Sequence, residues 1–369
     1  MMRTICHGVR RRKRPNERTA VWLLSSSYST RKDRDLPPWR VLFFGTDYFS
    51  LVSLQKLHAN RDVVSHLEVV TKENKKKHLP VRDFAASEGL TVHPWPPDVA
   101  KGRFDVGVVV SFGHLIPESL IDVFPWGILN VHGSLLPKYR GAAPIPHTIL
   151  NGDPITGVTI MAIRPHEFDV GDILLQEKCR VPEDATTLGL GSVLASLGAD
   201  LLLRSLADLP FYMLHRVPQP TSGASKVIDE KRVQSTFVSG FAAPKPTASD
   251  AVLDWSAPVA SIYRRFLAFH ELFPLSTTWD DRPVKVLEMI PWRCPSGGEP
   301  PGGDPSAPPG TIRYLRKEKV LTVKCGDGWI RANRLAVQGH KPVGGPDFYN
   351  GYLSRRPRHL WTFRSQYKS

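Results

Sequence analysis

Residues 104–137 read FDVGVVVSFGHLIPESLIDVFPWGILNVHGSLLP. Phe104 to Val110 is a valine-rich run of strand length, Leu115 to Val123 a short helical stretch, and Gly127 to Val131 another strand. The alternation continues upstream. Arg40 to Phe44 and Leu67 to Thr71 are strand-like, and Phe49 to His58 and Val81 to Glu88 are helical. Downstream, Gly157 to Ile163 and Ile173 to Cys179 read as strands and Thr187 to Leu206 as a long helix. Strands alternating with helices at this spacing imply βαβ units with right-handed crossovers. The expected fold over 39–210 is therefore α/β, an open, doubly wound and mostly parallel sheet.

Scattered Pro, Ser and Gly predict a linker over 211–250. From 251 to 369 the reading is a helix, Pro258 to His270, and then short strands at Ser276–Trp279, Val284–Leu287, Thr311–Leu315, Val320–Cys325 and Gly328–Leu335. That pattern predicts a small antiparallel β-barrel of OB-like type. Residues 295–310, PSGGEPPGGDPSAPPG, lack apolar residues able to pack and are expected to form an unstructured loop between two barrel strands.

The 369 residues are 41% hydrophobic and 23% charged, an ordinary globular composition for two domains. Apolar runs such as Val106 to Val110 fall far short of the roughly 20 residues of a spanning helix, so no membrane association is expected. Four scattered cysteines, Cys6, Cys179, Cys294 and Cys325, give neither a disulfide framework nor a C-x-x-C pair, and no metal is expected. The net charge of +14 is uneven: residues 1–40 carry +8 and residues 311–369 carry +10, which leaves the body between them at −4. A basic end on an acidic body suggests a polyanionic partner, with nucleic acid the commonest case. The leader, 1–38, is rich in Arg and Ser and poor in acids, the composition of an organelle transit peptide.

The chemistry concentrates in Asn130-Val131-His132-Gly133-Ser134-Leu135-Leu136-Pro137 and Arg140-Gly141. Side chains two apart on a strand share a face, so Asn130 and His132 project together from the carboxyl end, the edge where open α/β sheets bind ligands. An amide donor beside an imidazole can hold an oxyanion and move a proton, as attack on a carbonyl-level carbon requires. Phe168-Asp169-Val170-Gly171-Asp172 adds two acids, and spacing alone does not choose between Asp169 and Asp172. Gly45-Thr46-Asp47 is no G-x-G-x-x-G, so a dinucleotide site has little support.

Phe44-Gly45-Thr46, Val110-Ser111-Phe112-Gly113, the N-x-H-x-S-L-L-P-x-x-R-G run, Gly157-Val158-Thr159-Ile160-Met161 and D-x-G-D-I-L, in this order, resemble the folate-dependent formyltransferases. Arg140-Gly141-Ala142-Ala143-Pro144-Ile145 and Asp254-Trp255-Ser256 are similar to the branch acting on methionyl-tRNA. Residues 325–330, residues 347–353 and the Arg-rich leader are similar to its animal mitochondrial members. The resemblance implies transfer of a formyl group from 10-formyltetrahydrofolate to the α-amino group of initiator methionyl-tRNA, by a monomer in the mitochondrial matrix. It also implies that Asn130, His132 and Asp169 are catalytic. Ser134, Leu135, Leu136 and Pro137 would form the folate-binding turn, and Phe112, Gly113, His114 and Leu115 would line the pterin end. The C-terminal barrel would bind tRNA. Candidate tRNA contacts are Lys75, Lys76, Lys77, Arg140, Arg331, Arg334 and Lys341; the three lysines stand where the bacterial branch carries a longer basic insertion, and they have no residue-level match. Another formyl-folate transferase or hydrolase, or a catalytically idle RNA-binding protein, remain as alternatives.

Overall fold

A computed structural model describes residues 35–72, 79–220, 242–291 and 304–365. The leader up to residue 34, Lys75, Lys76 and Lys77, most of the expected linker and the first part of the Pro/Gly loop lie outside the described residues.

The first sheet holds β1 (Trp39–Gly45), β2 (Val64–Val70), β3 (Val92–His93), β4 (Val106–Val110), β5 (Ile128–His132), β6 (Ile155–Ala162) and β7 (Ile173–Arg180), in the order β3-β2-β1-β4-β5-β6-β7. The first five strands are parallel; β6 runs against them, antiparallel to both β5 and β7, so β7 returns to their direction. The mostly parallel sheet is as expected. The reversal arises because the chain does not cross back after β5: residues 133–154 stay at the carboxyl edge and β6 returns from there, Thr159 beside His132 and Ala162 beside Leu129. Along β1, Val41 and Phe43 belong to the core on one face, Leu42 and Phe44 to the core on the other. A strand buried on both faces has to be apolar throughout, which is why its sequence does not alternate.

Helix α1 (Tyr48–Ala59) starts on a reciprocal cap, in which Asp47 Oδ1 accepts from Ser50 N–H at 3.0 Å and Ser50 Oγ accepts from Asp47 N–H at 3.0 Å. It packs on one face of the sheet with α2 (Pro80–Ser87), while the four-residue α3 (Glu118–Ile121) puts Leu120 in the opposite core. Helix α4 (Pro144–Asn151) lies within the 133–154 excursion. Helix α5 (Thr187–Ala207) has a mean hydropathy of 1.4 over its most apolar stretch, enough by length and composition to cross a membrane. Its buried Leu190, Leu194, Leu201 and Leu202 instead face the sheet core. At Gly198 a Cβ would stand 2.7 Å from Val131 Cγ1, so glycine there lets α5 sit directly on the strand that carries the site. Beyond it, α6 (Leu209–Leu214) and a bridge from Val217 to Ile173 keep the chain against the first sheet.

The second sheet is antiparallel: β8 (Leu275–Trp279), β9 (Arg282–Pro291), β10 (Ile312–Leu315), β11 (Val320–Lys324), β12 (Trp329–Val337) and β13 (Val343–Gly344), ordered β10-β11-β12-β9-β8 with β13 on β12. Thr278 at one margin bridges Arg364, and Thr311 beside the other margin bridges Thr362. One C-terminal segment thus joins the two margins, which is how the sheet closes into a small barrel, and it removes both exposed edges. Helix α7 (Val259–Phe269) puts Ile262, Phe266 and Phe269 into the shared core. The tail of the Pro/Gly loop is more ordered than expected, because Asp304 accepts from Ser306 N–H and Oγ–H and Gly310 N–H donates to Lys324 O.

Candidate active site

The strand order reverses between β1 and β4, so the crevice opens at the carboxyl ends of β1, β4 and β5. Thr46 Oγ donates to Ser111 O at 2.7 Å and ties the first two ends together. At the third, Asn130 and His132 emerge on the same face. His132 is buried, and its Nε2 donates to Tyr139 O at 2.8 Å. A carbonyl can only accept, so Nε2 carries the proton and Nδ1 is the nitrogen turned to the site, 3.6 Å from Asp169 Oδ1. Asp169 Oδ1 also accepts from Asn130 Nδ2 at 3.2 Å, and Oδ2 accepts from Gly141 N–H at 2.8 Å. One carboxylate therefore meets the amide, the imidazole and a backbone donor.

Asp172 is engaged elsewhere, in ion pairs with Arg164 at 2.5 Å and Arg216 at 3.1 Å. Of the two acids, Asp169 is the one that faces Asn130 and His132. Asp169 has φ +56, a left-handed backbone that turns its side chain into the crevice. Glycine at 141 is required twice over, since its φ is +114 and a Cβ would lie 2.9 Å from Ala243 O.

The Ser134–Pro137 turn is held from beneath by one hydroxyl. Thr159 Oγ donates to Ser134 O at 2.7 Å and accepts from Leu136 N–H at 3.1 Å and Gln176 Nε2 at 2.8 Å. Gln176 Nε2 also donates to Leu136 O at 2.9 Å. Around the β4 end, Phe112 is packed into the core against Phe44 and Trp95, so its side chain contributes a wall and little open surface. His114 stacks on Trp95 at 5.1 Å, and burial followed by the nearby Lys72 charge lowers its pKa. Gly113 and Leu115 are exposed.

Residues 40–206 match the family described as formyl transferase, and residues 245–353 match the formyl transferase C-terminal domain. The mitochondrial methionyl-tRNA formyltransferase of Rattus norvegicus is 41% identical over 335 residues, spanning 89% of this chain and 81% of the relative. That of Homo sapiens is 40% identical, over 95% of this chain and 87% of the relative. The chain belongs to the methionyl-tRNA formyltransferase family. Solved structures share the fold at low identity. An N-formyltransferase from Helicobacter canadensis superposes with a TM-score of 0.57 at 15% identity, covering 79% of this chain and 98% of its own.

Within this formyltransferase the expected tRNA contacts fall into different surroundings. Arg140 gives Nε and Nη2 to Gln219 Oε1 at 3.0 and 2.8 Å, so its guanidinium is engaged beside the Gly141 turn. Arg331 and Arg334 lie on β12, Arg334 exposed and 3.6 Å from Glu288, and Lys341 is exposed beyond the strand. Arg331 lines a cleft of about 550 Å³ with Glu183, Asp184, Tyr263, Ile290 and Pro291, between the two sheets. Sequence reading missed the Tyr139 carbonyl, the Gly141 N–H, Thr159, Gln176 and Gln219. Only Thr159 left a signal, a hydroxyl in an otherwise apolar stretch of a buried strand.

Proposed function

We propose that this formyltransferase moves the formyl group of 10-formyltetrahydrofolate to the α-amino group of initiator methionyl-tRNA in the mitochondrial matrix, through Asn130, His132 and Asp169. The observation that carries the residue assignment is the Asp169 carboxylate, which meets Asn130, Gly141 N–H and the His132 ring together. Residues 39–210 would be the catalytic domain, 211–250 the linker and 251–369 the tRNA-binding barrel of a monomer that does not enter a membrane, with 1–38 as the transit peptide. The relatives' mitochondrial naming and the +7 leader support the address.

In the reaction the acceptor amine forms a bond to the formyl carbon, the carbon–N10 bond breaks, and one proton passes from the amine to N10. Asn130 Nδ2 has two hydrogens, one on Asp169, which leaves the second for the oxygen that gains charge. His132 Nδ1 faces the same space and can carry a proton between attacking and leaving nitrogens. Asp169 keeps the ring and amide oriented and favours a positive charge on the imidazole while the proton is in transit. Ser134 to Pro137 and the Phe112–Leu115 segment flank the crevice on the side where the folate would lie, and the basic C-terminal end supplies charge for the RNA.

The test is transfer of labelled formyl from 10-formyltetrahydrofolate to methionyl-tRNA, with free methionine and uncharged tRNA as controls. Label should enter methionyl-tRNA alone. Release as free formate, or equal transfer to methionine, would overturn the proposal.

A further inference from the structure

Both ends of the connection between the two sheets return to the catalytic turn. On the near side, Gln219 is 7% exposed and uses its whole amide: Nε2 donates to Asp169 O at 2.9 Å and Gly171 O at 2.8 Å, while Oε1 accepts the two Arg140 bonds. On the far side, Ala243 N–H donates to Arg140 O at 2.7 Å and Ala243 O accepts from Ala143 N–H at 3.0 Å. Between these supports sits Gly141, whose N–H holds Asp169 Oδ2.

The turn needs such support. Asp169 occupies a left-handed backbone region that an L-residue adopts only when its surroundings impose it. Its other flank is fixed by Gly171, where a Cβ would fall 1.6 Å from Ala162 O. Gln219 fills the remaining side. With both amide hydrogens on the 169–171 carbonyls and the amide oxygen on Arg140, it links the segment that presents the carboxylate to the segment that receives it.

We infer that Gln219 is a positioning residue for formyl transfer, aligning the Asp169 carboxylate with His132 and Asn130 from the start of the interdomain connection. The inference rests on the reading of Asp169 as catalytic. Gln219 reaches neither His132 nor Asn130 through any hydrogen bond of its own, so its effect on rate has to pass through Asp169. It should therefore disappear when that carboxylate is gone.

The experiment is a double-mutant cycle on the full chain, using single-turnover formylation of methionyl-tRNA and steady-state kinetics. Gln219→Met removes these four bonds at similar volume, and Gln219→Glu keeps an acceptor for Arg140 while removing both donors. Either variant, once its thermal midpoint shows a folded protein, should lower kcat at least about tenfold with KM for the formyl donor within about threefold, the pattern of a misplaced group. In the Asp169→Asn background the same substitution should change the rate less than about twofold, because residues acting through one group are not additive. The Glu variant decides if the Met variant does not fold. A folded variant with wild-type kcat, or a full additional loss on top of Asp169→Asn, would overturn the inference. Wild-type kcat in Asp169→Asn alone would instead overturn the catalytic reading beneath it, whatever Gln219 does.

Discussion

Replacing Thr159 by Val tests how the candidate folate turn is held. Threonine and valine have nearly the same shape and Thr159 is fully buried, so the substitution leaves no cavity, and the new methyl has only to push back the polar atoms that stand 2.7–3.1 Å from the hydroxyl. It removes one hydroxyl with three bonds, to Ser134 O, Leu136 N–H and Gln176 Nε2. Gln176 keeps its bond to Leu136 O. Ser134 O and Leu136 N–H lose the partner the strand provides. A buried backbone group left without a partner costs about 1–3 kcal/mol, so the pair should cost about 2–6 kcal/mol. The midpoint shift is the lost free energy divided by the unfolding entropy, about 1.3 °C per kcal/mol for 369 residues, so the thermal midpoint should fall by roughly 3–8 °C. If about 1.4 kcal/mol of that is felt as a displaced turn when the donor binds, KM for 10-formyltetrahydrofolate rises about tenfold. Thr159→Ser is the control, because it keeps the hydroxyl and deletes one methyl. Scanning calorimetry and initial rates against donor concentration measure both effects. A valine variant as stable as the serine variant, with unchanged KM, would refute the reasoning.

His132→Ala and Asp169→Asn should each lower kcat by about two orders of magnitude or more with little change in unfolding, whereas Asp172→Asn, which only loosens ion pairs with Arg164 and Arg216, should be far milder. Burial by itself would raise the Glu68 carboxyl, but hydrogen bonds from His93, Arg103 and His66 outweigh it and bring the pKa down from 4.5 to about 2. The depressed value means stability that is present above pH 4.5 and lost as pH falls towards 2, so urea titrations of Glu68→Gln should show a flatter decline across that window than wild type. Residues 1–38 fused to a fluorescent reporter should direct it to mitochondria, and a diffuse or nuclear signal would count against a transit peptide. Neutralising Arg331, Arg334 and Lys341 together should flatten the slope of log K for methionyl-tRNA against log salt by about two units, which filter binding over a salt series reads directly.

The parallel part of the first sheet was legible because β1 and β4 are buried on both faces and have to be apolar throughout. The direction of β6 was not, since a buried strand looks the same whichever way it runs. Asn130 and His132 could be paired from sequence because strand geometry alone puts residues two apart on one face. Spacing alone could not choose Asp169 over Asp172; the family resemblance pointed to Asp169, whose backbone angle, φ +56, no spacing encodes. The groups that hold these side chains were the least visible. The Tyr139 carbonyl and the Gly141 N–H are backbone atoms, available in principle at every position. Gln219 sits in a stretch of Pro, Ser and Gly that reads as connecting chain.

Net charge is a coarser guide than it looks, and the barrel shows why. Arg313 and Lys324 both lie over the Trp329 ring at 5.7 Å, and Lys324 is only 6% exposed, so burial keeps the Lys324 ammonium from direct contact with a phosphate. Arg316 donates to Tyr349 Oη at 3.1 Å, Arg356 pairs with Asp280 at 2.8 Å, and Arg334 stands 3.6 Å from Glu288. The +10 of residues 311–369 is therefore an upper bound on what a phosphate backbone would meet. An exposed ion pair is weak enough for a polyanion to displace the carboxylate, so Arg334 can still contribute, at the cost of exposing Glu288 to the RNA. Lys341 carries no such penalty. This is why three neutralised cations should remove about two units of salt dependence, fewer than three independent phosphate contacts would give.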